Sequence, residues 1–90
     1  MKNEPSKVSP LMQQWQEAKE RHPGMLLMFL EKDSDCYKLF GEDAVAASQL
    51  LGLALAKRGG AIITGFPHQY LESYLRKLLQ AGQRVAICEE

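Results

Sequence analysis

The sequence predicts an α/β (α+β) domain, a mixed β-sheet of about five strands flanked by three helices, and three observations predict it. Leu71, Tyr74, Leu75, Leu78 and Leu79 recur at the i, i+3, i+4, i+7, i+8 spacing of an amphipathic helix. The continuous apolar run MLLMFL (25–30) is too short for a helix and is bounded by Pro-Gly before and Glu-Lys-Asp after, which suits a buried central strand. Helix-like and strand-like segments alternate along the chain, so the helices must bury their apolar stripes on a sheet.

Taken in order, residues 1–8 are polar, carry Pro5 and repeat with no structural period, and read as a flexible N-terminal tail; residues 9–90 form the domain. Ser9-Pro10 starts a helix: serine accepts from an unpaired first-turn amide, and proline lacks the N–H that would have been orphaned. Leu11, Trp15 and Ala18 share its apolar face, and His22-Pro23-Gly24 ends it. After the run 25–30 comes the polar turn KDSD, then Cys36 to Phe40, where Cys36, Lys38 and Phe40 point one way and Tyr37 and Leu39 the other. A hairpin with its exposed tip at Asp33 to Asp35 is the simplest arrangement. GEDAVAASQLLG is a helix with Glu42 and Asp43 at the positive end of its dipole, Ala44, Ala47, Leu50 and Leu51 on its apolar side, and Gly52 at its exit. A second hairpin joins Leu53–Ala56 to Ala61–Thr64 through the basic turn Lys57-Arg58-Gly59-Gly60. Pro67 opens the third helix, Gly82 closes it, and Val85 to Cys88 is a last buried run.

Composition bounds the function. Ninety residues allow one core, and 46% apolar with 24% charged residues is the make-up of a soluble globular domain. Eleven basic and eleven acidic side chains cancel, so no long-range field draws the chain to a polyanion, and any such contact is local. Two cysteines, Cys36 and Cys88, make no disulfide framework, no metal-ligand pair occurs, and a reducing, cytosolic setting fits. The N-terminus lacks the apolar core of a signal peptide, and the longest apolar run cannot span a bilayer, so no membrane partner is expected.

Few residues carry chemistry. Gly59-Gly60 is followed by AIIT, without the lysine and hydroxyl of a P-loop, which excludes an ATPase within these residues. His22 and His68 adjoin prolines at helix ends and read as end-cap or surface residues rather than as general bases. Cys36 with Lys38 two positions on is a poor nucleophile site, because neighbours on a strand face are not preorganised for proton transfer; an apolar filler is the better reading. Cys88 and Trp15 read as core. Tyr37 beside Lys38 near an exposed tip is the pairing that stacks on a base and touches a phosphate, although a tyrosine packed under a helix is commonplace. Lys57 and Arg58 are a solvated turn or a phosphate contact. No acid, base, nucleophile and metal set converges, and the domain is not expected to be an enzyme.

The order of LMQQWQEAKERHPGMLLMFL, DCYKLFGEDAVAASQLLGLALAKRG and GFPHQYLESYLRKLLQAGQRVAICEE resembles the N-terminal mismatch-recognition domain of the MutS family over residues 10–90. The resemblance implies a mixed sheet with flanking helices, standing first in a much longer chain and reading DNA within a dimeric clamp. It implies double-stranded DNA with a mismatch or loop and the other domains of a MutS-like dimer as partners, in a cytoplasmic, nucleoid-associated setting if bacterial. No cofactor is implied in this domain; ATP and magnesium belong to a distant C-terminal domain. In the family a Phe-x-Glu motif wedges its ring beside the mispaired base and bonds to that base through the glutamate, at a step weakened enough to kink. Here those positions hold Cys36, Tyr37 and Lys38: a thiol cannot stack and an ammonium cannot accept a hydrogen bond. YK followed by FGEDA is similar to the eukaryotic MutS homologue that handles insertion-deletion loops, whose site is also basic there. The loop between KRG and GFP is several residues shorter than is usual in the family.

Two readings follow. In the first, Cys36, Tyr37, Lys38, Lys57 and Arg58 contact distorted or looped DNA. In the second, the domain keeps the fold, has lost mismatch reading and acts through protein–protein interaction, for which zero net charge and the missing Phe and Glu argue.

Overall fold

The computed structural model describes residues 10–58 and 60–89, so the tail at 1–8, the Ser9 cap, Gly59 of the basic turn and the side chain of Leu11 lie outside the described residues. The elements are α1 (Pro10–Arg21), β1 (Leu26–Glu31), β2 (Cys36–Phe40), α2 (Gly41–Leu51), β3 (Ala56–Arg58), β4 (Ala61–Pro67), α3 (Leu71–Gln80, preceded by a 3-10 turn His68–Tyr70) and β5 (Val85–Glu89). They build one five-stranded sheet in the order β3-β4-β2-β1-β5. β1–β2, β2–β4 and β3–β4 are antiparallel, whereas β5 lies parallel to β1, reached from β4 by a crossover through α3. The three helices and five-stranded mixed sheet are those the sequence predicts.

Strand alternation sorts the side chains into two layers. On one face Leu26, Met28, Tyr37, Leu39 and Phe66 pack with Ala44 and Ala47 of α2 and Leu78 of α3. On the other, Leu27, Phe29 and Phe40 pack under Ala18 and Trp15 of α1. Ala44 and Ala47 of α2 have no exposed surface at all, so the helix lies directly on the sheet. At the joint between β2 and α2, Gly41 holds φ +57, and a Cβ there would sit 2.8 Å from the Trp15 ring; only glycine serves both the left-handed turn and the close approach.

A buried carboxylate holds α1 in place. Asp43, 4% exposed, accepts from Trp15 Nε1 at 2.8 Å, Lys19 Nζ at 2.7 Å and the Leu27 amide at 3.2 Å. Lys19 also donates to the Met25 carbonyl. One side chain of α2 thereby ties helix α1 to strand β1, with every partner a hydrogen-bond donor.

Several local expectations are corrected. β3 is Ala56–Arg58 rather than Leu53–Ala56, so Lys57 and Arg58 belong to a strand and not to the turn. Gly60 alone among the described turn residues takes a positive φ, +81. β4 extends to Pro67, which ends the strand and at the same time caps the 3-10 turn that leads into α3. The run 25–30 is interior, but β2 is the middle strand. β5 is an edge strand, which leaves Ile87 46% exposed and Cys88 half-buried where a fully buried run was expected. Leu50 and Leu79 of the expected apolar stripes are exposed as well.

Candidate nucleic-acid interface

The register of β2 fixes where each candidate residue goes. Cys36 lies opposite Glu31 of β1 and Pro67 of β4, Tyr37 opposite Leu30 and Phe66, and Lys38 opposite Phe29 and Gly65. Cys36 and Lys38 therefore share the α1 face of the sheet, and Tyr37 the α2/α3 face, as alternation predicts.

Tyr37 is 9% exposed, and its ring stacks on Phe66 with centroids 5.6 Å apart. Phe66 meets Tyr74 edge-on at 4.9 Å, and Tyr74 stacks on Tyr70 at 5.7 Å. This ladder fills the space between β2 and α3, so Tyr37 is a wall of the core rather than a ring presented at the tip.

Helix α1 packs on β1, while on the same face β2, β4 and β3 carry Cys36, Lys38, Gly65, Pro67, Ala56 and Arg58, all exposed or half-exposed. Gly65 makes the surface shallow: a Cβ there would meet the Tyr37 carbonyl at 2.8 Å and Lys38 Cδ at 3.1 Å. The lysine stem thus lies across β4 in the space a side chain would occupy, and its ammonium pairs with Glu31. Lys38 Nζ is 3.9 Å from Glu31 Oε1, which also accepts from Ser34 Oγ at 2.7 Å. Cys36 is half-buried, and its thiol donates to the Ser34 carbonyl at 3.3 Å. The tip is tied to the rest of the sheet by His68 N–H donating to the Asp35 carbonyl at 2.9 Å, and Asp35 holds φ 54.

Lys57 and Arg58 do not join this group. Arg58 is opposite Ala61 and Lys57 opposite Ile62, at the end of β4 away from the tip. Two interstrand spacings and four residues along the strands put Arg58 roughly 17 Å from Lys38. Arg58 shares the Cys36 and Lys38 face, whereas Lys57 points to the helical side with Ile62. Of the five candidates the structure brings together Cys36 and Lys38, places Arg58 on their face at its far end, and puts Tyr37 and Lys57 on the other side. Sequence reasoning passed over Glu31 and Gly65; the cue for Glu31 was its place as the next residue after the apolar run, which in a hairpin lies opposite Cys36.

Among the described residues no group of three or more His, Cys, Asp or Glu is placed to hold a metal, and no helix is long and apolar enough to cross a membrane. Burial pushes the Cys88 thiol above its usual pKa, with Arg21 pulling weakly the other way.

The sequence matches the family described as MutS domain I over residues 9–90. The chain belongs to the MutS domain I family. It is 44% identical over 94 residues to a DNA mismatch repair protein MutS of Flavobacterium johnsoniae, an alignment covering 99% of this chain and 11% of the relative. It is 48% identical over 88 residues to that of Christiangramia forsetii (93% and 10%) and 42% over 87 residues to that of Porphyromonas gingivalis (91% and 10%). The chain thus spans about a tenth of the length of the curated relatives it matches. Membership in the MutS domain I family accounts for the mixed sheet and its helices.

Proposed function

We propose that this domain contacts mismatched, looped or otherwise distorted duplex DNA as the N-terminal part of a MutS-type mismatch-repair clamp, through the sheet face that carries Cys36, Lys38 and Arg58. The observation that carries the reading is the shallow strip beside α1, where Gly65 lets the Lys38 stem lie flat and Arg58 stands on the same side. The backbones of the two residues stand roughly 17 Å apart on one face, a span that one duplex covers, with one cation near the distortion and one on flanking phosphates. Tyr37 serves by packing: its stack on Phe66 holds β2 flat. Lys57, on the helical side, adds positive potential and no direct contact. ATP and magnesium are assigned to a separate C-terminal domain of a full-length protein, and the setting is cytoplasmic and nucleoid-associated in a bacterium.

Titration of the isotopically labelled domain with looped, mismatched and plain duplexes at low salt tests the reading. Amide shifts are expected at residues 36, 38, 58 and 65, and shifts confined to the helical side would overturn it. A second measurement uses the thiol: in a Cys88→Ala background, looped DNA is expected to slow alkylation of Cys36, which the Ser34 carbonyl holds on the open face.

The alternative, a divergent stand-alone or scaffold domain acting through protein–protein interaction, draws support from the zero net charge and from the tip, where Glu31, Asp33 and Asp35 outnumber Lys32 and Lys38. Saturating DNA that leaves every amide shift unchanged would favour it.

A further inference from the structure

The sheet has two edges, and the chain guards only one of them. β3 is three residues long and carries Lys57 and Arg58, both exposed, and shortness and charge are what keep an edge strand from pairing. β5, at the other edge, is VAICE, with no lysine, arginine or proline to blunt it. Its inner side is taken by β1 along its whole length. The Leu26 amide donates to the Arg84 carbonyl at 2.7 Å, and in a parallel ladder this fixes the alternation. Arg84, Ala86 and Cys88 bond toward β1, while the N–H and C=O groups of Val85, Ile87 and Glu89 point outward, and no described strand lies beyond them. Beside this open row the side chains are apolar: Ile87 is 46% exposed, and Leu79 of α3, the helix over β5, is 55% exposed.

We propose that β5 is an interface between two copies of this chain, in which the two β5 strands pair antiparallel about Ile87 and join the sheets edge to edge. The inference goes beyond the DNA-contacting reading and does not rest on it, since Lys38 and Arg58 stand on β2 and β3, away from β5. The strand is its own complement. With Ile87 opposite Ile87 of the second copy, the two strands overlap completely and every outward group is used: Ile87 exchanges both hydrogen bonds with its counterpart, and Val85 does so with Glu89 of the second copy. A register shifted by two residues in either direction leaves one of these bonded pairs unmade. Glu89 falls opposite Val85 of the second copy rather than opposite another acid, so no like charges meet. On the helical side the two Ile87 side chains cover each other, and on the α1 face Ala86 meets Cys88 of the second copy, a pair small enough to let the strands close. An interface of one strand pair is smaller than the roughly 1,200 Å² of a stable complex, so the dimer depends on concentration.

Sedimentation equilibrium of the 90-residue protein from micromolar to millimolar concentration tests this. The wild type is expected to rise from 10.1 kDa toward twice that mass. Ile87→Lys puts a charge where the copies meet and is expected to hold the chain at the monomer mass, with circular dichroism unchanged because the residue is half-exposed. Leu55→Lys, at an equally exposed leucine beside the other edge, is expected to leave dimerisation as it is. Cross-linking reads the register. In a non-hydrogen-bonded antiparallel pair the β-carbons lie about 4.5 Å apart, within reach of a disulfide. A Cys36→Ala, Ala86→Cys double variant oxidised with copper-phenanthroline is therefore expected to give a covalent dimer through the introduced thiol and Cys88 of the second copy, lost on reduction. A wild type that stays at 10.1 kDa throughout, or a dimer that Ile87→Lys leaves intact, overturns the proposal. A dimer that yields no covalent product in the double variant overturns it too, because the contact then lies on another surface.

Discussion

Replacing Asp43 by alanine removes the single acceptor shared by Trp15 Nε1, Lys19 Nζ and the Leu27 amide. The Leu27 amide is on a residue with no exposed surface, and the side chain of Lys19 is only 14% exposed, so water replaces neither partner well. Breaking a buried ion pair by deleting one member costs about 3–5 kcal/mol, and the lower end applies because Lys19 keeps Glu42 Oε2 at 3.5 Å and the Met25 carbonyl. A chain of this length has a total stability of about 5–13 kcal/mol. With a urea m-value of about 1–2 kcal/mol/M, a loss of about 3 kcal/mol lowers the unfolding midpoint by roughly 1.5–3 M or leaves the domain unfolded without denaturant. Asp43→Asn keeps an acceptor and the shape and should cost less, about 2 kcal/mol. Trp15 is the only tryptophan, so its fluorescence reports the melting of the α1 contact directly. A midpoint shift below about 0.5 M for the alanine variant would refute the view that this carboxylate holds α1 over β1.

Three further outcomes are expected. Tyr37→Ala deletes a ring packed against Phe66 and should destabilise the domain by about 3–5 kcal/mol in thermal or urea melts, a loss larger than a solvent-exposed DNA-stacking residue would show. Gly65→Ala forces a Cβ against the Tyr37 carbonyl and the Lys38 stem; it should cost about 1–3 kcal/mol and weaken DNA binding through displacement of Lys38, read by calorimetry and anisotropy. The Cys88 thiol titrates above its usual value of 9.0 because burial disfavours the thiolate, so the unfolded chain ionises first as the pH rises. Its contribution is fully present below pH 9.0 and is lost as the pH rises through the folded value, and Cys88→Ala should flatten that part of an alkaline stability profile.

The elements were legible where one physical signal dominated. The leucine and tyrosine spacing of α3, the apolar run of β1 and the alternation in β2 each follow from burial on a single layer. What the sequence could not show was set by pairing between distant segments. β5 reads as a buried run, but its place beside β1 at the edge of the sheet exposes Ile87. Lys57 and Arg58 stand next to two glycines and read as a turn, yet the tight connection at Gly60 lets the ladder run up to Arg58. Asp43 reads as a first-turn acid favouring the helix dipole; its partners lie 16 to 28 residues away in sequence, at Leu27, Lys19 and Trp15. The site was half legible for the same reason. Alternation put Cys36 and Lys38 on one face, whereas the contributions of Glu31 and Gly65 come from strands on either side of β2.

A neutral chain and a DNA-contacting role fit together through this placement. With no net charge the domain gains nothing from distant attraction, so any contact with DNA is local. What the domain can add is discrimination, which depends on the arrangement of a few groups rather than on their sum. Cys36 leaves no ring to wedge into the stack, and Tyr37 is committed to the core, so stacking is not the means. Lys38 beside Glu31 offers a donor and an acceptor on a flat surface that a glycine keeps open. Under the proposed contact Lys38 and Arg58 meet DNA from one face of the sheet, while Tyr37 stays in the core and holds the strand between them.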